Sequence, residues 1–404
     1  MQEMGNPQQG MTYVHVAGTN GKGSTSLIIA EVLSRAGYRV GRFSSPHLHS
    51  YSERFTIDGR DIGEEVFQAI LDGVEKHIQV MLSRGESHPT EFEVLTAVAL
   101  QYFKNENVDL AVLEVGMGGS FDSTNVIIPL ISVITGVDYD HTAFLGNSLE
   151  EIAANKSGII KSGVPVIVGS MDKAALRVIA ERAREMGADL HFSSEVQVSR
   201  IGIPALADQI INIESAAMTL SGIKFALLGN YQLSNLATAF TALNLIGKQG
   251  YRVDESSIRD SLAGLKIPVR LEILKCNPLV IADAAHNPQA ARALKESLDT
   301  LLPGRSKVLV LGLVDDKDRD GILVPLGANT RATVVCRPKG LRGETWQEVT
   351  KRWRLIFPDI QVEEQESIAM AVARGMKLME KDDYLLITGS FYVLDQACRI
   401  FNDN

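Results

Sequence analysis

A chain of 404 residues is long enough for two or three domains, each with a buried core. Its 45% hydrophobic and 22% charged residues fit a soluble globular protein, and a formal charge of −9 argues against a partner held by its phosphate backbone. No apolar stretch is long enough to span a membrane, no signal peptide precedes the first strand, and Cys276, Cys336 and Cys398 suit neither a disulfide framework nor a zinc site, so a reducing cytoplasm is expected.

Along the chain, the first stretch with chemical content is Val14-His15-Val16-Ala17-Gly18-Thr19-Asn20-Gly21-Lys22-Gly23-Ser24-Thr25. It leads from an apolar strand through a glycine-rich turn into a helix expected over 24–36. Glycines permit the tight turn, backbone amides at a helix start can face an anion, and Lys22 adds a compact positive charge. The hydroxyls of Ser24 and Thr25 can reach phosphate or Mg²⁺. The spacing differs from the standard P-loop, since Val16 stands where that pattern has glycine and Gly23 separates lysine from hydroxyl. A purely structural turn would not need lysine followed by two hydroxyls, so the stretch reads as a triphosphate-binding loop.

A second strand over 39–43 completes a parallel α/β unit. The polar loop Ser44-Ser45-Pro46-His47-Leu48-His49-Ser50-Tyr51-Ser52-Glu53-Arg54 precedes a hairpin over 55–62 that turns at Asp58-Gly59. Helices are expected over 63–81 and, opened by the capping box Thr90/Glu93, up to 104. The run 110–115 is apolar except for Glu114 near its end. In a fully buried parallel strand such a carboxylate belongs at the carboxyl edge, where it can meet Mg²⁺; the structural alternative pairs it with a buried arginine.

A strand over 130–135 leads to Asp138-Tyr139-Asp140-His141, and Ser148/Glu151 caps the helix that carries Lys156. His141 alone reads as a satisfied polar residue, with metal ligation the alternative. An ammonium cannot coordinate Mg²⁺, so Lys156 either binds phosphate or becomes an oxygen ligand after carbamylation. A strand over 164–168 and a helix over 172–186 follow, and a few antiparallel strands fit 189–228. A long helix is expected from Gly229 through Asn235 to 247.

The pattern restarts at Ile267-Pro268-Val269-Arg270, where a domain boundary is expected, giving domains 1–267 and 268–404. Beyond it, strands at 279–283, 307–313, 331–336, 360–363 and 384–388 interleave with helices from 288, at 346–353 and at 367–380: a second, smaller parallel α/β domain. Asn287 as N-cap with Pro288 at N1 has a structural reason, which Asp283 and His286 lack, and those two point to a site.

These stretches together resemble the folylpolyglutamate synthase and dihydrofolate synthase family within the Mur ligase superfamily. The resemblance rests on 15–25, Ser45-Pro46-His47-Leu48, Glu53-Arg54, 90–93, 114–125, Asp140-His141 and 156–161. It continues through Gly229 with Gln232 and Asn235, 268–272, 283–288, Asp316-Lys317-Asp318 and Thr388-Gly389-Ser390, all in family order. It implies a large P-loop-type ATPase domain with a mostly parallel sheet and a Rossmann-like C-terminal domain. The implied activity is an ATP-dependent amide ligase. ATP phosphorylates a folate or dihydropteroate carboxylate, and the amino group of L-glutamate displaces phosphate.

By the same resemblance, Thr19, Asn20, Gly21, Lys22, Gly23, Ser24 and Thr25 hold the triphosphate, and Asn235, Arg270, Asp283 and His286 secure ATP. Ser45 and Glu114 hold one Mg²⁺; Glu114, His141 and carbamylated Lys156 hold a second, and a monovalent cation is a further cofactor the resemblance allows. Lys22, Glu114, His141 and Lys156 form the catalytic set. Thr90, Phe92 and Asp122 wall the pterin pocket, Arg54 lies on the substrate side, and Ser390 seats glutamate. A monomer without nucleic-acid or membrane partners is implied.

The chain departs from the family pattern at Ser120-Phe121, where arginine commonly follows the paired glycines, and at Asn155, where glutamate is usual. Val269 and Ala284 replace frequent glycines. Relatives also carry a helical leader before Gly5-Asn6-Pro7-Gln8; either the true start lies upstream or the enzyme works without it. Two other readings use the same residues: a Mur-type ligase acting on another carboxylate, and a nucleotide-hydrolysing switch that ligates nothing.

Overall fold

The computed structural model describes residues 1–202, 206–340 and 343–402. The chain forms two compact units, one of Met1–Ser199, Ile210–Lys224 and Leu233–Leu265, the other of Arg200–Gln209, Phe225–Gln232 and Lys266–Asn404.

The first unit is built on eight strands: β1 (Tyr13–Ala17), β2 (Val40–Phe43), β3 (Phe55–Ile57), β4 (Arg60–Asp61), β5 (Leu110–Glu114), β6 (Ile131–Ile134), β7 (Val166–Val168) and β8 (Leu190–Phe192). Their order is β4-β3-β2-β5-β1-β6-β7-β8, parallel from β2 to β8, with β3 and β4 added antiparallel. Every residue of β1 and β5 is buried, which is why both read as near-continuous apolar runs. After β1 the chain continues to β2 on one side, while β6 continues to β7 on the other. The carboxyl ends of β1 and β6 therefore flank a switch point, the place where open α/β sheets bind ligands.

Helices α1 (Lys22–Arg35), α2 (Glu64–Ser83), α3 (Glu91–Asn105), α4 (Thr142–Leu145), α5 (Leu149–Lys156) and α6 (Lys173–Glu185) connect these strands. One core joins Phe43, Phe55, Val98, Leu100 and Phe103, and another joins Ile134, Ile152, Ile159, Val166 and Ile179. Both capping boxes, Thr90/Glu93 and Ser148/Glu151, form as expected, and the hairpin turns at Asp58-Gly59 with φ of 50° and 73°. Helix α1 starts at Lys22, two residues before the expected start, because Gly21 takes a left-handed conformation (φ 84°) as its N-cap. Lys22 and Gly23 thus belong to its first turn.

In 189–228, β8 joins the large sheet parallel to β7, where antiparallel pairing was expected; at three residues it is too short to show a periodic signal. Strands β9 (Gln197–Ile201), β10 (Gln209–Glu214) and β11 (Thr219–Phe225) form a separate sheet in the order β11-β10-β9. Helix α7 (Asn230–Lys248) matches expectation; α8 (Glu255–Gly264), which donates Ser261 Oγ to the Glu31 carbonyl at 3.1 Å, was not anticipated.

The second unit holds β12 (Glu272–Cys276), β13 (Leu279–Asp283), β14 (Lys307–Gly312), β15 (Thr330–Cys336), β16 (Gln361–Gln365) and β17 (Tyr384–Gly389) in the order β12-β13-β17-β14-β15-β16. Its strands are parallel except for β12, an unanticipated antiparallel edge strand. Helices α9 (Pro288–Leu301), α10 (Arg319–Gly327), α11 (Gln347–Ile356), α12 (Ile368–Leu378) and α13 (Phe391–Asn402) complete it, around a core containing Leu294, Leu309, Leu311, Trp353 and Leu386. All three cysteines are free. Among the described residues no helix is long and apolar enough to cross a membrane.

Candidate active site

The loop between β1 and α1 is shaped by two glycines. At Gly18 (φ 151°) a Cβ would lie 1.9 Å from Thr135 Oγ1, and at Gly21 it would lie 2.3 Å from Asn235 Oδ1. Thr135 Oγ1 donates to the Asn20 carbonyl at 2.6 Å, and Thr19 Oγ1 exchanges hydrogen bonds with the Asp138 backbone at 3.0 Å. The end of β6 thus pins the loop from behind. Gly18→Ala is expected to lower stability by about 2–4 kcal/mol, since it meets both a clash and a φ unsuited to a side chain. Denaturant unfolding measures this, and an unchanged midpoint would contradict the loop geometry.

Two lysines converge on one carbonyl. Lys22 Nζ donates to Gly18 O at 3.1 Å and Thr19 O at 3.2 Å, and Lys156 Nζ donates to Gly18 O at 3.0 Å. Lys156 is 3% exposed. Burial, followed by the neighbouring Lys22 charge, pushes its amine down to about 7, with Asp140 and Asp122 pulling the other way. A basic, partly neutral amine therefore sits beside the phosphate-type loop.

Glu114 is buried at the end of β5, paired with Val16 of β1. A Cβ on Gly23 would lie 3.5 Å from its Oε2, so the carboxylate rests against the first turn of α1. The Ser45 backbone N–H approaches the same oxygen at 3.4 Å. The arginine of the structural alternative is present as well: burial lowers the Arg42 guanidinium pKa, and Glu114 is the first of three carboxylates that oppose the shift. Thr25 Oγ1, buried in the first turn of α1, has no hydrogen-bond partner among the described residues. A buried carboxylate against the helix start, with the Ser45 backbone beside it, supplies oxygen of the kind a hard cation prefers, so Glu114 fits Mg²⁺.

His141 takes a left-handed conformation (φ 50°) as N-cap of α4, with Nε2 4.0 Å from Asp140 Oδ1. Among the described residues, no three His, Cys, Asp or Glu side chains gather as a metal cluster. The expected sets are of another kind, each combining carboxylate or imidazole with Ser45 or Lys156.

Thr90 Oγ1 donates to Glu93 Oε2 at 2.8 Å and caps α3. Phe92 stacks on Phe43 with centroids 5.6 Å apart, and a Cβ on Gly116 would lie 2.5 Å from the Phe92 ring. Asp122 organises its own loop, accepting the Thr124 and Met117 N–H groups at 3.0 Å each. Ser120 bonds the Asn155 carbonyl through both N–H and Oγ, while Phe121 is 94% exposed. Arg54 Nε donates to His47 Nδ1 at 2.9 Å, and its guanidinium lies 5.5 Å from the Tyr51 ring centroid.

In the second unit, buried Asp283 accepts Tyr231 OH and Leu271 N–H, both at 2.9 Å. Burial raises its carboxyl pKa, while Arg270 and these donors oppose the rise. Arg270 Nη1 donates to Ala284 O at 3.4 Å and lies 5.7 Å from the Phe391 ring centroid. His286 Nδ1 donates to Ala284 O at 2.8 Å, and its ring is 6.4 Å from that of Phe391. Ser390 bonds Gly312 O through its N–H and caps α13 through Oγ. Val269 and Leu271, either side of Arg270, have φ of 52° and 50°. Left-handed backbone costs a non-glycine residue about 1–2 kcal/mol. The two strained residues flank Arg270.

Sequence reasoning passed over His15, Tyr231 and Phe391. A signal existed for His15: a polar side chain inside an apolar strand, the same feature that singled out Glu114. Tyr231 and Phe391 carry no such mark.

Residues 16–243 match the Mur ligase middle domain, and residues 269–391 match the Mur ligase glutamate ligase domain. A Haloferax volcanii protein named probable bifunctional folylpolyglutamate synthase/dihydropteroate synthase is 34% identical over 402 residues; the match covers 98% of this chain and 47% of that protein, so the chain spans about half its length. The Bacillus subtilis dihydrofolate synthase/folylpolyglutamate synthase is 34% identical over 319 residues, 78% of this chain and 74% of that one. The structure of Mycobacterium tuberculosis folylpolyglutamate synthase complexed with ADP superposes with a TM-score of 0.93 at 31% identity, covering 100% of this chain and 93% of that chain. Family matches to both halves and a full-length structural match agree with the phosphate-type loop and its buried carboxylate: the chain belongs to the folylpolyglutamate synthase/dihydrofolate synthase family of Mur ligases.

Proposed function

We propose that this protein is an ADP-forming ligase that joins L-glutamate to folates, with tetrahydrofolate and dihydropteroate as acceptors. The observation that carries the reading is the convergence of Lys22 and Lys156 on Gly18 O, with Glu114 against the same helix start. The acceptor carboxylate oxygen attacks the γ-phosphorus of ATP, and the bond to the ADP oxygen breaks. The glutamate amine then attacks the acyl carbon; phosphate leaves with the C–O bonding pair, and the nitrogen loses a proton. Lys22 neutralises phosphate charge throughout.

Ser45 and Glu114 are proposed to hold one Mg²⁺, and Glu114, His141 and Lys156 a second. When bound, the metal neutralises developing charge on the phosphate oxygens. Lys156 enters that set as a carbamate: its neutral amine attacks the carbon of CO₂, an N–C bond forms as one C=O π pair moves onto oxygen, and one N–H proton passes to water. With a pKa near 7 a large fraction of this amine is neutral at pH 7, whereas an ordinary lysine holds about one part in 10³. We assign Thr19 to Thr25, Asn235, Arg270, Asp283 and His286 to ATP, and Ser390 to glutamate. Arg54, Thr90, Phe92 and Asp122 are assigned to the acceptor side. A monovalent cation, a monomeric state and a cytoplasmic location complete the proposal.

The reading that competes is a switch that hydrolyses ATP without ligating. ADP release measured with folate and glutamate added singly and together separates the two. The ligase reading expects release only when both are present, and release without them would favour the switch.

A further inference from the structure

His15 lies in the middle of β1, fully buried and paired with Leu113 of β5 and Ser132 of β6. Its Nε2 is 2.8 Å from Thr124 Oγ1, and the Thr124 hydroxyl in turn donates to Asp122 Oδ1. A hydroxyl has one proton, so the imidazole must be the donor to Thr124. Among the described residues, its Nδ1 lone pair has no partner. The other oxygen of Asp122 accepts the Met117 N–H at 3.0 Å. Each link has a fixed direction, because the carboxylate at the end can only accept. The far side of the same loop is fastened separately, with Asn125 Nδ2 donating to Ser120 O and Gly158 O, both at 3.2 Å.

We propose that His15 is a positioning residue for the loop 116–125, acting from the sheet interior through Thr124 and Asp122. The proposal rests on the reading in which this loop borders the aromatic acceptor, and it names the buried group that fixes the loop's shape. Without the Nε2–H donor, the Thr124 hydroxyl loses its bond to the sheet, and Asp122 keeps only the bonds within its own loop, from the Thr124 hydroxyl and the Thr124 and Met117 N–H groups, so the loop is no longer tied through Thr124 to β1.

The test compares His15→Leu, which keeps volume without a donor, with His15→Gln, whose side-chain amide can donate to Thr124. Hydrogen exchange is read on the segments around 115–126 and 18–26, and steady-state constants are read for tetrahydrofolate and ATP. His15→Leu is expected to speed exchange in 115–126 about tenfold, the equivalent of one net hydrogen bond, and to leave 18–26 unchanged. KM for tetrahydrofolate should rise by a similar factor while KM for ATP stays within about twofold. His15→Gln should return both values toward the parent. If His15→Leu fails to fold, Thr124→Val interrupts the same chain at the next residue and should reproduce both effects. Unchanged exchange in 115–126, or equal rises in both KM values, would overturn the proposal. If the parent protein ligates neither acceptor, the ligase reading fails, and the exchange result still decides the role of His15.

Discussion

Lys156→Ala is expected to lower ATP-dependent glutamate ligation by about 10²–10³-fold with little loss of stability. The side chain is buried, sits 3.0 Å from Gly18 O beside a second lysine, and has its amine pushed down to about 7. Alanine removes a group whose charged form burial disfavours, and relief of that cost offsets part of the packing lost. Activity suffers because the proposed oxygen ligand is gone. Bicarbonate or short carboxylic acids should restore part of the rate by supplying oxygen ligands in the vacated space. Steady-state ligation with and without such acids, alongside thermal unfolding, measures the effect. Full activity in the alanine variant would remove the carbamate from the account.

The second large effect is acid instability centred on His15. Burial, then the charge of Lys161, pushes its imidazole pKa down to about 3. The folded state therefore resists a proton that the unfolded chain accepts near pH 6.5. Stability from this residue is fully present above that pH and declines as pH falls, levelling off below about 3. The shift corresponds to about 5 kcal/mol, an upper bound for one site. Denaturant unfolding of the parent and His15→Gln from pH 7.5 to 4 should give curves that converge on acidification, because only the parent carries the penalty. Parallel curves would show that the buried imidazole is protonated without cost.

Much of this was legible in the sequence, and the reasons are local. A capping box needs four residues and a hairpin turn needs two, so Thr90/Glu93, Ser148/Glu151 and Asp58-Gly59 could be read directly. Glu114 could be placed because a lone carboxylate in a buried run must sit where something neutralises it. What stayed hidden depends on partners distant in sequence. His15 meets Thr124 across 109 residues, and Tyr231 meets Asp283 across 52. The Asp122 oxygens bind the backbone of their own loop, which residue type cannot reveal. The edge strand β12 is only half-buried or exposed along its length, and so lacks the apolar run that marked the interior strands.

The central claim is that this chain ligates glutamate to a folate. Incorporation of labelled L-glutamate in the presence of ATP and Mg²⁺, with tetrahydrofolate and dihydropteroate supplied separately, tests it most directly. The account predicts incorporation into both acceptors with one phosphate released per bond. ATP turnover with no label in either acceptor would contradict it.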